Sequence, residues 1–373
     1  MIKILDTTLR EGEQSPSVTF TVEEKLKIAD MLDNFGVNII EAGHPIVSED
    51  IKLAIKKITE QNYKAEILAH CRARKEDIDA AIECDVDWVG IFLCVSKQRL
   101  EQQFRSNLNK AIDQITDTIS YAKDHGLKIR YTPEDTTRTE HGSLIKIIKA
   151  ATNAGADRIS IADTVGAMTP IKMYNFIKKI KTETNVKLNV HCHNDLGLAT
   201  ANSIAAYEAG ASMIDVTING IGERVGITPL SEICIALYCI YNVKNNWKLE
   251  MLPELSQKIS EYTGIKISPN TPILGENAFS HKAGLHVAAV LQNPRYYEII
   301  PIELIRRNRN FILDKMAGSQ TIKQKIEQMG FSNDYDNTQK IMHYVKSKQK
   351  GTISEDEIIS ILHNHEADRG MFQ

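Results

Sequence analysis

From the first residue to about residue 240, short apolar runs rich in Ile, Val and Leu alternate with longer stretches of helical periodicity. Eight runs can be counted: Ile2 to Asp6, Asn38 to Gly43, Glu66 to Cys71, Trp88 to Cys94, Lys128 to Thr132, Arg158 to Asp163, Lys187 to His191 and Met213 to Ile218. Between the first two lies TVEEKLKIADMLDNFG, where Val22, Leu26, Ala29 and Leu32 fall near the helical period of about 3.6 and Gly36 supplies a stop. The phrases NAGADRIS and EAGASMID repeat that stop, each a helix end with glycine followed by a buried strand. Eight strands, each followed by a helix, predict a closed (β/α)8 TIM barrel of about 250 residues. An open doubly wound sheet is the competing α/β architecture, but it usually has fewer strands. The barrel is assigned to residues 1–260 as the catalytic domain.

Past residue 250 the alternation fails. Tyr262 to Ser280, with Gly264, Pro269, Pro272 and Gly275, reads as a linker. A helical stretch beginning near His281 follows, then Ile302 to Asn310, then amphipathic helices around Ile322 to Met329 and Glu355 to His363. This predicts a mostly helical C-terminal extension of two small subdomains, 261–310 (the linker and a first subdomain) and 311–373, with a core thin enough to need a neighbour.

Composition narrows the function classes. Of the 373 residues, 42% are hydrophobic and 25% charged, the balance of an ordinary globular protein, which excludes disorder over most of the length. Lys and Arg (45) against Asp and Glu (48) leave a net charge of -3, so no basic excess points to nucleic acid or to an anionic membrane. Apolar stretches such as Ile235 to Ile240 fall far short of the roughly 20 residues of a membrane span. Six cysteines without any CxxC pair suggest buried thiols in a reducing, cytoplasmic setting, with no disulfide framework.

The candidate chemistry gathers at the ends of the strands. In KLNVHCHNDLG, His191 and His193 are two apart and share one side of a strand, as two ligands of one divalent metal would. The first strand runs into DTTLREGEQ, which stacks Asp6, Arg10, Glu11 and Gln14 at the same rim, so Glu11 can complete a two-His, one-carboxylate set; the competing reading makes Arg10 and Glu11 caps of the following helix. In RYTPEDTTRTE, Arg130, Thr132 and Glu134 share one face, and an inward Arg130 calls for an anion, either a substrate carboxylate or a neighbouring acid. His70 and Thr164 end the third and sixth strands. NGIGERVGITPL is either a phosphate-cradling turn or a tight turn by which the chain leaves the barrel, and HKAGLH places His281 and His286 just after the linker.

DTTLREGEQ, HCHNDLGLATAN, NGIGERVGITPL and HKAGLH, in this order, resemble the motifs of the Claisen-condensing acyl-CoA synthases of the DRE-TIM metallolyase superfamily, the 2-isopropylmalate/homocitrate synthase family. The resemblance covers nearly the whole chain and is strongest over residues 4–300. It implies a divalent metal (zinc, magnesium, manganese or cobalt) held by Glu11, His191 and His193 and chelated by a 2-oxo acid, with Arg10 as the catalytic residue that binds and polarises the keto group and Thr164 as a substrate-binding residue. It implies acetyl-CoA as cosubstrate, with Glu134 and His286 handling the proton of its methyl group. His70, Arg130 and Thr132 match the positions at which the homocitrate-forming branch binds the second carboxylate of 2-oxoglutarate, so homocitrate and CoA are the expected products. A chain ending at residue 373 also leaves no room for the leucine-sensing domain of the 2-isopropylmalate branch. Synthesis of 2-isopropylmalate or citramalate is the alternative, and a hydroxymethylglutaryl-CoA-lyase-like carbon–carbon cleavage is the alternative from a different class. The resemblance further implies a homodimer with shared active sites, in which HKAGLH covers a partner's barrel mouth, and a place in amino-acid biosynthesis such as that of lysine. Two stretches depart from the family pattern: EAGHPIVSED after the second strand, and SEICIALYC.

Overall fold

Eight parallel strands close on themselves in chain order in the computed structural model, which describes residues 2–369. They are β1 (Lys3–Asp6), β2 (Ile39–Gly43), β3 (Glu66–Arg72), β4 (Trp88–Cys94), β5 (Lys128–Glu134), β6 (Arg158–Asp163), β7 (Lys187–Cys192) and β8 (Met213–Val216). The pairing of β1 with β8, Leu5 beside Asp215, completes the ring and excludes the open sheet. Each strand reads as an apolar run because a parallel barrel buries both faces, one against the interior and one against the surrounding helices.

Inside the barrel, Leu5, Ile39, Leu68, Trp88 and Met213 pack into one buried apolar layer contributed by β1, β2, β3, β4 and β8. Side chains alternate along a strand, so the residues two further on (Thr7, Glu41, His70, Gly90 and Asp215) face the same interior nearer the C-terminal rim. The layer changes from apolar to polar within that single step. Gly90 leaves room there: a Cβ would press on Leu68 Cδ2 at 2.9 Å and sit in contact with Glu41 Oε1 and Arg130 Nη2 at 3.4 and 3.5 Å.

Helix Val22–Phe35 shows how the connections are set. Thr21 and Glu24 form a capping box at its start, and Gly36 ends it at φ 102°. Its buried face differs from the predicted one: Val22 and Leu26 are half-buried, whereas Lys25 is buried beside Ile28, Ala29, Leu32 and Phe35. The cause is polar, since Lys25 Nζ reaches Glu13 Oε2 at 2.5 Å and the carbonyl of Leu9 at 3.4 Å, tying the helix to the loop after β1.

The chain divides into two units, Met1–Ile267 and Ser268–Gln373. In the second, Ser280–His281 pairs with Asn310–Phe311 and helix Gly284–Gln292 follows, so His281 lies in a short strand where a helix start was expected. Ile302–Ile305 is a single 3-10 turn, ended by Arg306 in a left-handed conformation. Helices Ser319–Gln328 and Glu355–Arg369 match the expectation, and helix Tyr335–Ser347 is additional. Leu313, Ile322, Ile326, Ile341, Val345 and Ile358 belong to one buried cluster, so residues 313–362 share a core of their own, a thicker one than the sequence suggested for that stretch. Among the described residues no helix is long and apolar enough to cross a membrane, and the six cysteines are free, five of them buried.

Candidate active site

A cavity of about 670 Å³ opens at the C-terminal ends of the strands, and Arg10, Glu11, His70, Arg130, Thr132, Glu134, Thr164, His191 and His193 all line it, whereas Asp6, expected at the same rim, is buried and does not. His286 belongs to the second unit, where its ring lies 4.2 Å from that of Tyr297.

Glu11, His191 and His193 are all buried and each offers a ligand atom within 4.8 Å of the others. The chemistry of the set fits a divalent cation: one carboxylate and two imidazoles, a mixed oxygen and nitrogen donor group with room for further ligands. His193 Nδ1 is buried without a hydrogen-bond partner, and His191 Nε2 faces Glu11 Oε2 at 3.9 Å. The other nitrogen of His191, Nδ1, is held at 3.1 Å by Asp215 Oδ2, the carboxylate–histidine arrangement that orients metal-binding imidazoles. Burial would raise the carboxyl of Glu11, but Arg10, His191 and His193 hold it down at about 2. Burial, reinforced by His191, lowers His193 to about 4, which keeps it neutral and able to act as a ligand near neutral pH.

The capping alternative for Arg10 and Glu11 is overturned. Glu11 precedes a 3-10 turn without a side-chain capping bond, and the following helix is capped by Thr21. Instead Glu11 Oε1 accepts the backbone N–H of Glu223 at 2.9 Å, and its Oε2 takes Arg10 Nη1 at 2.5 Å. The NGIGERVG segment is what allows this. A Cβ on Gly222 would sit 2.9 Å from Glu11 Oε1, and one on Gly226 only 1.7 Å from the carbonyl of Gly220, so both glycines permit a close backbone fold against the carboxylate.

Behind this group runs a buried charge network. Glu41 accepts from Arg10 Nε at 2.9 Å, Arg130 Nη2 at 3.1 Å and the Thr7 hydroxyl, and its Oε1 lies 3.0 Å from His70 Nδ1. Burial would raise Glu41, yet Arg10, Arg130 and His70 hold it well below the usual carboxylate range. Arg130 Nη1 also donates to Asp215 Oδ2 at 3.0 Å, and Asn189 Nδ2 donates to Asp215 Oδ1 at 2.5 Å. Arg130 thus has the neighbouring acids that formed one of its two readings while still lining the cavity. Burial, followed by Arg10, lowers His70 to about 4 against the opposing pull of Glu41.

Glu134 is clamped by Arg99 Nη1 at 2.5 Å, and the Thr164 hydroxyl accepts the N–H of Asp135 at 3.1 Å. Glu41 and Asp215 escaped the sequence reading because each is a single acid inside an apolar run, IIEAG and MIDV. The available signal was their period-two relation to Ile39 and Met213, which turns an ionised group toward the barrel interior and demands a partner.

Comparison with known proteins agrees with this geometry. Residues 1–259 match the HMGL-like family and residues 273–352 the homocitrate synthase post-HMGL domain-like family. The chain is 50% identical to the homocitrate synthase of Pyrococcus horikoshii, over 93% of this chain and 95% of that one. It is 47% identical to a 2-isopropylmalate synthase of Methanocaldococcus jannaschii, over 88% of this chain and 64% of the relative. The crystal structure of the HMG-CoA lyase of Bacillus subtilis superposes with a TM-score of 0.64 at 19% identity, covering 71% of this chain and 95% of that one, a likeness of fold. The chain belongs to the HMGL-like family and carries, after that domain, the module that follows it in homocitrate synthases.

Proposed function

We propose that the chain condenses acetyl-CoA with 2-oxoglutarate and hydrolyses the resulting thioester, releasing homocitrate and CoA. The observation that carries this reading is a single cavity holding a Glu11, His191 and His193 donor set beside Arg10, with Arg130, His70 and Thr132 lining the same space. The identity to homocitrate synthases over nearly the full length of both chains supports it, and enzymes of the family depend on a divalent metal.

Glu11, His191 and His193 would hold that metal, which when bound supplies Lewis acidity to the keto group of the 2-oxo acid. Arg10 is placed to donate to the oxygen that gains charge as the keto carbon is attacked; Glu11 and Glu41 fix its guanidinium, so little reorganisation is needed. Glu134, with His286, takes a proton from the acetyl methyl group, the resulting carbanion equivalent forms the new carbon–carbon bond, and water then cleaves the thioester to free CoA. Thr164 and the second-carboxylate group of His70, Arg130 and Thr132 orient the acceptor. Free thiol released from acetyl-CoA, with homocitrate identified by mass spectrometry, tests the reading: both are expected with 2-oxoglutarate, and both are expected to vanish on chelation and return with added divalent metal. Homocitrate formed at an undiminished rate in excess chelator would refute the metal site.

Residues 1–260 form the catalytic part in this reading, 261–310 cover an active site, and 311–373 add a second small subdomain. His286 acts on a partner's site in a homodimer, and the buried free thiols suit a reducing cytoplasm. Mixing Glu134→Ala and His286→Ala chains tests the shared site. Random exchange leaves one intact site in half of the dimers, so about a quarter of the wild-type rate is expected back. No recovery after verified exchange would place His286 in its own chain's site or in none.

A further inference from the structure

Besides His70, His191 and His193, a fourth histidine lines the cavity. His44 follows β2 directly, in the EAGHPIVSED stretch that departs from the family pattern, and its ring stands edge-on to His70 at 5.7 Å and to Phe92 at 6.3 Å. His70 itself stacks on Phe92 at 4.5 Å. His44 Nε2 lies 2.8 Å from Asp77 Oδ2. Asp77 is fully buried and is fixed in turn by Arg72, whose backbone N–H donates at 2.9 Å and whose Nη2 donates at 2.8 Å. An imidazole that gives its N–H to a carboxylate turns a lone pair to the cavity from its other nitrogen, and that nitrogen donates to an anionic ligand once it takes up a second proton.

The two histidines are therefore built alike. His70 is anchored through Nδ1 on Glu41, His44 through Nε2 on Asp77, and among the described residues neither ring makes a second hydrogen bond. Beside them the Thr132 hydroxyl is buried without a partner. Arg130 is different, because both of its terminal nitrogens are already paired, with Glu41 and Asp215. Arg10 and Arg130 are set against Glu11, Glu41 and Asp215, so the cations of this network are offset before any ligand arrives.

We infer that His44 is a specificity-determining residue, which together with His70 and Thr132 receives the distal carboxylate of the 2-oxo acid, and that Asp77 is its positioning residue. The inference rests on the proposed function and extends it: the distal carboxylate is recognised by a hydroxyl and by the two anchored imidazoles, each taking up a proton as the carboxylate binds, with Arg130 acting from behind them.

Steady-state kinetics of the metal-loaded enzyme test it. His44→Phe fills the same space without ring nitrogens, and His44→Gln keeps a donor for Asp77 while removing the second nitrogen. Both are expected to raise KM for 2-oxoglutarate about 10- to 100-fold, the effect of one hydrogen bond to a charged group, with kcat and the KM for acetyl-CoA changed by less than about 3-fold. Asp77→Asn is expected to raise the same KM less, and His44→Phe with Asp77→Asn no more than His44→Phe alone. An unchanged KM for 2-oxoglutarate in a folded His44→Phe or His44→Gln enzyme, or equal losses in kcat and in both KM values, would overturn the inference. The wild type reports separately on the reading beneath it: a wild-type preference for an acceptor without a distal carboxylate sinks the proposed function itself, whereas an intact 2-oxoglutarate preference in the variants sinks only the role of His44.

Discussion

Two layers of the same barrel interior lie one side-chain repeat apart and have opposite chemistry. The lower is Leu5, Ile39, Leu68, Trp88 and Met213; the upper, on the same five strands, is Thr7, Glu41, His70, Gly90 and Asp215. The strands do not change course between them, so the backbone supplies position and the side chains alone decide whether a layer packs or recognises. The lower layer holds by apolar burial, which needs no charge partner. In the upper layer every buried charge needs an opposite one, and Glu41 meets this with Arg10 and Arg130 while Asp215 meets it with Arg130. An active site is thus set on a packed floor, where the pairing that stabilises it also aims Arg10 and His191.

The contrast can be broken most severely at the rim above the upper layer. Replacing His191 and His193 together by Ala is expected to remove the bound metal and lower condensation by about a thousandfold or more, with the thermal unfolding temperature little changed; elemental analysis of the purified protein reads it. The double variant with a full metal complement would disprove the ligand assignment. In the lower layer the loss is one of stability. Leu68→Ala is expected to cost about 2 to 5 kcal/mol in chemical denaturation while the ratio of activities on different 2-oxo acids stays as in the wild type.

The layers also differ in their response to pH. His70 is lowered to about 4 in the fold from its ordinary 6.5. Between these values the unfolded chain takes up a proton that the folded one refuses, so this contribution is complete above pH 6.5 and declines as pH falls toward 4. The stability difference between wild type and His70→Gln is expected to shift by up to about 3 kcal/mol across that window, in the direction that favours the variant at low pH. The cost of Leu68→Ala is expected to be flat over the same range, and a parallel slope in both would remove the distinction. The mildest change is Gly222→Ala. Its Cβ would press on Glu11 Oε1, so a metal affinity weaker by about 10-fold is expected in competition with a chelating dye, without loss of fold.

How much of this could be read in advance depended on whether the cause was local. All eight strands lie where the apolar runs placed them, because burial on both faces leaves that mark in any parallel barrel. The grouping of Glu11 with His191 and His193 was legible from period-two spacing and the adjacency of a closed ring. Lys25 was not, since its burial depends on Glu13, twelve positions away in another element. Glu41 and Asp215 were hidden by their apolar neighbours, and Arg130 had two readings because its partners lie on β2 and β8, far along the chain. His44 was passed over because its anchor, Asp77, sits on a helix after the next strand.

The central claim is that the upper layer selects an acceptor with a second carboxylate. One competition reads it directly: equal 2-oxoglutarate and 2-oxoisovalerate with limiting acetyl-CoA, the two products counted by mass spectrometry. One charged contact in a buried site is worth about 2 to 4 kcal/mol, so homocitrate is expected to exceed 2-isopropylmalate by roughly 30- to 1000-fold. An excess of 2-isopropylmalate would contradict the account and make branched-chain synthesis the function of this barrel.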